Sequence, residues 1–134
     1  MTKETGIWID HRKAVIVTLT GGELETKQIQ SNMEKHARFS SGSSEDRSAE
    51  DMRDRQFANR LNSFYDAVIE ALLNVESILV MGPGEAKGEL VKRLEREKFG
   101  GRIVGLETVD KMTDLQIAEK IRQYFYAHKH ATRS

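Results

Sequence analysis

Apolar residues fall along this chain in short runs at first and at helical spacing later. Gly6–Asp10 (Gly-Ile-Trp-Ile-Asp) is a compact apolar run and predicts a short buried strand. His11-Arg12-Lys13 is a polar break of hairpin-loop length. Ala14–Thr20 is β-branched and apolar and predicts a second strand. Gly21-Gly22 supplies a turn between two extended runs. Glu23–Ile29 alternates, with Leu24, Thr26 and Gln28 on one face, and predicts a third strand at a sheet edge. The chain therefore opens as an antiparallel meander. Residues 31–47 are polar and include Ser40-Ser41-Gly42-Ser43-Ser44, which predicts an exposed, mobile loop. Loops of this length inside a small domain are uncommon and often functional; the plainer reading is a tolerated surface insertion.

The period changes after the loop. Ser48-Ala-Glu-Asp51 has the form of a capping box, and Phe57, Leu61, Phe64, Tyr65, Val68, Ile69 and Leu72 then recur at three- and four-residue spacing. They predict the longest helix and a main layer of the core. Ser77–Met81 is a continuous apolar run bounded by Gly82-Pro83-Gly84, as a fully buried strand would be. Glu85–Phe99 reads as a helix with Ala86, Leu90 and Leu94 aligned, stopped by Gly100-Gly101. Arg102–Leu106 predicts another strand. Thr113-Asp-Leu-Gln116 is a second capping box, opening a helix that carries Leu115, Ala118, Ile121, Tyr124 and Phe125. The tail from His128 to Ser134 is expected to fray. The order β-β-β-loop-α-β-α-β-α ends in two βα units, whose strands should run parallel. The expected architecture is a single α/β domain, residues 1–134, of the ribonuclease H-like type. Its mixed sheet has strand order 3-2-1-4-5, with helices on both faces.

Composition narrows the function classes. The 134 residues are 38% hydrophobic and 31% charged, as in ordinary globular domains. Lys+Arg and Asp+Glu are both 21, so the formal net charge is zero, and a role in gripping nucleic acid must rest on a local patch. There is no cysteine, which excludes disulfides, thiol catalysis and Cys-ligated metal and fits a cytoplasmic location. Met1–Ile9 carries acid and no long apolar run, so it is not read as a signal peptide, and no stretch approaches the roughly 18 apolar residues of a membrane helix.

Few residues carry candidate chemistry. Gly82-Pro83-Gly84-Glu85-Ala86-Lys87-Gly88 joins a strand to a helix. Backbone N–H groups there, with Gly82, Gly84 and Lys87, form a candidate anion site. The motif is neither a P-loop nor Gly-x-Gly-x-x-Gly, and Glu85 stands where an anion would bind. The favoured reading is a tight turn whose acid offsets the helix dipole. Asp10 ends the first strand, where nucleases of this fold place a metal ligand. Asp66, Glu70 and Asp110 have no spacing that compels a two-metal site, and a hairpin cap formed with His11 is the plainer reading. His11, His36, His128 and His130 include no His-x-x-x-His pair on an expected helix, so no metal or cofactor is expected. Arg38, Phe39 and Arg47 are candidate partner contacts, because an aromatic beside arginine can stack on a base. The acids interspersed around them read as a solvated, salt-bridged surface. Trp8 reads as core.

Three stretches in this order resemble the central domain of the archaeal and eukaryotic class 1 peptide-release factors and of Pelota, and still more the bacterial single-chain relatives of that domain. They are Gly6–Asp10 with Ala14–Val17, Ser48–Leu72 (above all Arg55–Arg60 and Phe64–Val68), and Ile78–Gly84 with Lys87 and Leu94. The resemblance spans roughly Gly6–Phe125 and implies the fold. In release factors the loop before the long helix carries Gly-Gly-Gln; here Glu45-Asp46-Arg47 stands in its place. Acids there repel rRNA phosphates and do not take glycine conformations cheaply. The resemblance thus implies no peptidyl-tRNA hydrolysis and no catalytic residue. The expected function is a non-catalytic, translation-associated module binding a ribosome, a tRNA or a translation protein through residues 34–47. Two alternatives remain: a nucleotide-phosphate or small-ligand binder at Gly82–Lys87, and a homo-oligomer formed through the edge strand Glu23–Ile29.

Overall fold

The computed structural model describes residues 3–31 and 47–133, with side chains described except at 47–54, 56–57 and 128–133. The elements are β1 (Lys3–Ile9), β2 (Lys13–Thr20), β3 (Glu23–Gln30), α1 (Arg47–Ala71), β4 (Ser77–Gly82), α2 (Ala86–Arg96), β5 (Ile103–Thr108) and α3 (Asp114–Arg133). The strands form one sheet in the order β3-β2-β1-β4-β5. β3, β2 and β1 are antiparallel neighbours, while β1, β4 and β5 are parallel. This is the mixed α/β sheet and the strand order implied by the sequence.

Side-chain alternation splits the core into two layers. Ile7, Ile9, Ala14, Ile16, Ile78 and Val80 face α1 and α2, meeting Phe64, Tyr65, Val68 and Leu72 of α1 and Ala86, Leu90 and Leu94 of α2. Trp8, Val15, Val17, Leu79 and Met81 face α3, meeting Ile117, Ile121 and Phe125. β1 and β4 are therefore covered on both sides, which is why they read as unbroken apolar runs. β3 lies at the edge and is exposed along nearly all its length. Trp8 is core, with its indole N–H donating to the Asp110 carbonyl at 3.2 Å.

Several boundaries and faces differ from the sequence expectation. β1 begins at Lys3, because Lys3, Glu4 and Thr5 still find partners in Thr20, Leu19 and Thr18 of β2. Ser48 lies inside α1 rather than ahead of it, since the helix starts at Arg47. The Phe57 side chain lies outside the described residues. α2 stops at Arg96, well before Gly100. Lys98 takes a left-handed conformation (φ 70°), its N–H donates to Glu95 O at 3.1 Å, and the Phe99 N–H donates to Leu94 O at 2.7 Å. That bonding pair is a Schellman motif with lysine at the position glycine usually fills. Gly100 and Gly101 instead enter a short 3-10 turn before β5. On α3 the capping box forms as expected: the Gln116 N–H donates to Thr113 Oγ1 at 3.2 Å, and the Thr113 N–H donates to Gln116 Oε1 at 2.9 Å. Leu115, expected on the apolar stripe, is 84% exposed, and Ile117 takes the buried position. The α3 backbone is helical through Arg133, past His128.

Candidate functional site

β1 is followed in sequence by its antiparallel neighbour β2 on one side, and β4 by its parallel neighbour β5 on the other. The carboxyl ends of β1 and β4 thus lie side by side where the chain's winding changes direction. Open α/β sheets place their ligands at such a point. Three groups of residues meet here.

The first is the β1–β2 loop. Asp10 Oδ1 accepts the N–H groups of Arg12 at 2.8 Å and Lys13 at 2.9 Å, and the Asp10 N–H donates to Lys13 O at 3.0 Å. The carboxylate is thus a hairpin cap, which satisfies loop amides that would otherwise lack partners. Ser31 at the end of β3 binds the same loop. Its hydroxyl donates to His11 O at 2.6 Å and Arg12 O at 3.1 Å, and its N–H donates to Arg12 O at 2.9 Å. Ser31, the last described residue before α1, thus sits beside His11, and the described structure resumes at Arg47, the first residue of α1.

The second group links three elements through one carboxylate. Glu89, in the first turn of α2, accepts a hydrogen bond on Oε1 from the Tyr65 hydroxyl of α1 at 2.5 Å. The same oxygen lies 3.0 Å from His11 Nε2. Burial raises the Glu89 carboxyl, but hydrogen bonds from Tyr65 and His11, with the charges of His11 and Lys92, outweigh it and hold the group below its ordinary range. The Tyr65 phenol is pushed well up, first by burial and then by its bond to Glu89 and that group's charge. Tyr65 is buried and stays protonated, so the cluster is a clamp between elements and offers no activated nucleophile. Beside it, Arg93 of α2 reaches Asn62 Oδ1 at 2.8 Å and pairs with Asp66 on α1.

The third group is the Gly82-Pro83-Gly84 turn, whose glycines have different duties. A Cβ on Gly82 would stand 2.2 Å from the Ile9 carbonyl oxygen, so only glycine lets β4 lie against β1 there. A Cβ on Gly84 would meet nothing within 4 Å. The Val109 N–H donates to Gly82 O at 3.0 Å and ties in the strand end after β5. The Lys87 ammonium donates to Gly84 O at 2.5 Å, so the turn's own carbonyl holds the candidate anion ligand. Glu85 opens α2 without a side-chain cap bond.

The structure brings Gly82, Gly84 and Lys87 into one turn and sets His11, Glu89 and Tyr65 behind it. Arg38, Phe39 and His36 lie outside the described residues, as do the side chains of Arg47, His128 and His130. Among the described residues no three His, Asp or Glu side chains gather as a metal ion would require, and no helix is long and apolar enough to cross a membrane. Sequence reasoning missed Glu89 and Tyr65 as partners of His11. The only local signal was an acid in the first turn of a helix, which the helix dipole alone explains.

No protein-family model and no curated protein matches the chain. Solved structures do match. The Pelota protein of Thermoplasma acidophilum aligns over 84% of this chain at 18% identity with a TM-score of 0.54. The Pelota of Archaeoglobus fulgidus aligns over 96% at 14% identity (TM-score 0.48), and an archaeal translation termination factor over 98% at 18% identity (TM-score 0.45). The chain spans 29%, 36% and 42% of these proteins, respectively. At such identity the Thermoplasma match establishes likeness of fold: this chain is folded like a segment of Pelota that makes up under a third of that protein.

Proposed function

We propose that this chain is a non-catalytic module of the translation machinery that docks on the ribosome through residues 34–47. The observation carrying this reading is the site of departure of that segment. The described chain breaks off at Ser31, beside the β1–β2 loop at the carboxyl end of β1, and resumes at Arg47, the first residue of α1, in a fold like that of a segment of Pelota. The three stretches that resemble the release-factor central domain support the same reading, and Glu45-Asp46-Arg47 in place of Gly-Gly-Gln argues against hydrolytic chemistry. Arg38, Phe39 and Arg47 supply guanidinium and aromatic groups of the kind that stack on bases and pair with phosphates. A neutral protein gains little from long-range attraction to RNA, so the contact depends on this local set.

Cosedimentation with ribosomes on sucrose gradients, at low and moderate salt, tests the proposal. The wild type is expected in the ribosomal fractions, and a variant with residues 34–46 replaced by a short Gly-Ser linker is expected at the top of the gradient. Wild-type protein that stays at the top at both salts would overturn the reading. Retention of the linker variant would overturn the assignment of the contact.

A further inference from the structure

We infer that β3 is a self-association edge, at which two copies of this chain pair antiparallel about a twofold axis at Thr26 and join their sheets. Gly21 and Gly22 both have positive φ (56° and 93°), the signature of a two-residue type I′ hairpin closed by Thr20 and Glu23. In such a hairpin the closing pair exchanges both backbone hydrogen bonds, and bonded pairs then alternate along the ladder. Glu23, Glu25, Lys27 and Ile29 consequently direct their N–H and C=O groups inward to Thr20, Thr18, Ile16 and Ala14. The bond from the Ser31 N–H to Arg12 O shows the same phase at the far end of the strand. Leu24, Thr26, Gln28 and Gln30 must therefore direct their N–H and C=O groups outward, where no other strand lies among the described residues.

Among the described residues this edge is neither shortened, bulged nor covered by another strand. Natural edge strands are short, bulged or covered. β3 runs for eight residues, and its register with β2 is continuous from Glu23 to Gln30. β5, at the opposite edge, has six residues and an irregular register at Ile78/Leu79. β3 does carry charge, and the arrangement of that charge selects the partner. Glu25 and Lys27 are exposed on one face, and among the described residues neither makes an ion pair.

A twofold antiparallel pairing must match outward residues with outward residues, which leaves few registers. An axis at Glu25 or at Lys27 sets like charges face to face. An axis at Leu24 pairs Glu23 with Glu25. An axis at Gln28 gives neither Glu25 nor Lys27 an opposite charge. The axis at Thr26 alone sets Glu25 against the second copy's Lys27, and Lys27 against its Glu25. Thr26 then pairs with itself, and Leu24 pairs with Gln28. The two charge pairs fall at non-hydrogen-bonded positions, where facing side chains are closest. An edge complementary to itself in hydrogen bonding and in charge fits a second copy of this chain.

Sedimentation equilibrium from about 1 µM to about 1 mM protein tests the inference, a range that spans weak to moderate self-affinity. Wild-type protein is expected to form a dimer in a concentration-dependent manner. Lys27→Glu should raise the dimer dissociation constant by about tenfold or more, since both pairs become repulsive. The double variant Glu25→Lys/Lys27→Glu restores complementarity and should return the constant to within about threefold of wild type. Thr26→Pro removes an outward N–H, which an edge strand tolerates, and should give a monomer with unchanged circular dichroism. A wild type that is monomeric throughout the range would overturn the inference. So would a dimer indifferent to Lys27→Glu, or a charge swap that fails to rescue it.

Discussion

The two ends of the sheet are closed by different physics. At the amino end of β1 and β4, short backbone motifs do much of the closing, beside the Arg102 guanidinium donating to the Leu73 and Val75 carbonyls. A glycine pair turns β2 into β3, and the Schellman motif at Lys98-Phe99 ends α2. At the carboxyl end, closure is long-range. Residues 10–13, 31, 65, 82, 89 and 109 satisfy one another's hydrogen bonds across the sheet, and two helices take part. A local device can be changed alone, with a small effect. A network of side chains from several elements fixes where those segments sit relative to one another.

The contrast is tested most severely at Gly82. Gly82→Ala forces a methyl group into the Ile9 carbonyl, backbone against backbone, and is expected to cost about 3 kcal/mol. Gly84→Ala, two residues on in the same turn, is expected to change stability by less than about 0.5 kcal/mol. Urea melts of the two variants decide it, and equal effects would remove the packing role given to Gly82.

Tyr65→Phe comes next. It removes a hydrogen bond to a half-exposed carboxylate and should cost about 1 kcal/mol at neutral pH. Its signature is the pH profile. Glu89 is held below its ordinary 4.5, so its contribution is present above that value and is lost as pH falls through the lower folded-state pKa. The Tyr65 phenol is raised above 10.0, so its contribution is present below that value and is lost as pH rises beyond it. In the Tyr65→Phe variant the alkaline loss due to this group should vanish and the acid loss should shrink. A profile parallel to wild type at both extremes would contradict the clamp.

The smallest effect lies at the local end. Lys98→Gly relieves a left-handed lysine and should stabilise the protein by up to about 1 kcal/mol, reduced by the extra freedom glycine gains when unfolded. Thermal melts check the sign. A destabilised variant would show that the lysine side chain, and not its backbone, holds the motif.

The same contrast explains what the sequence made legible. Short-range devices could be read: the Gly21-Gly22 turn, the Thr113–Gln116 capping box, and the Ala86, Leu90, Leu94 stripe. Strand order could be read because runs buried on both sides, β1 and β4, must lie at the centre. The end of α2 was misplaced because a lysine adopts the conformation that glycine usually marks. Leu115 was misplaced because one apolar residue in a first turn fits either face, and the phase is set by Ile117 against Trp8 and Met81. The Glu89 clamp was invisible: residues 11, 65 and 89 share no spacing, and only the closed sheet brings them together. The two glycines around Pro83 look alike in sequence and differ only in what lies beside them.

The proposed contact between residues 34–47 and the ribosome can be tested by crosslinking. The most direct test places a photo-crosslinking amino acid at Phe39 and, separately, at Leu73, an exposed residue just past the carboxyl end of α1 at the opposite end of the sheet. Illumination in the presence of ribosomes is expected to attach the Phe39 probe to a ribosomal component and to leave the Leu73 probe unattached. Equal labelling from both positions, or none from Phe39, would contradict the claim.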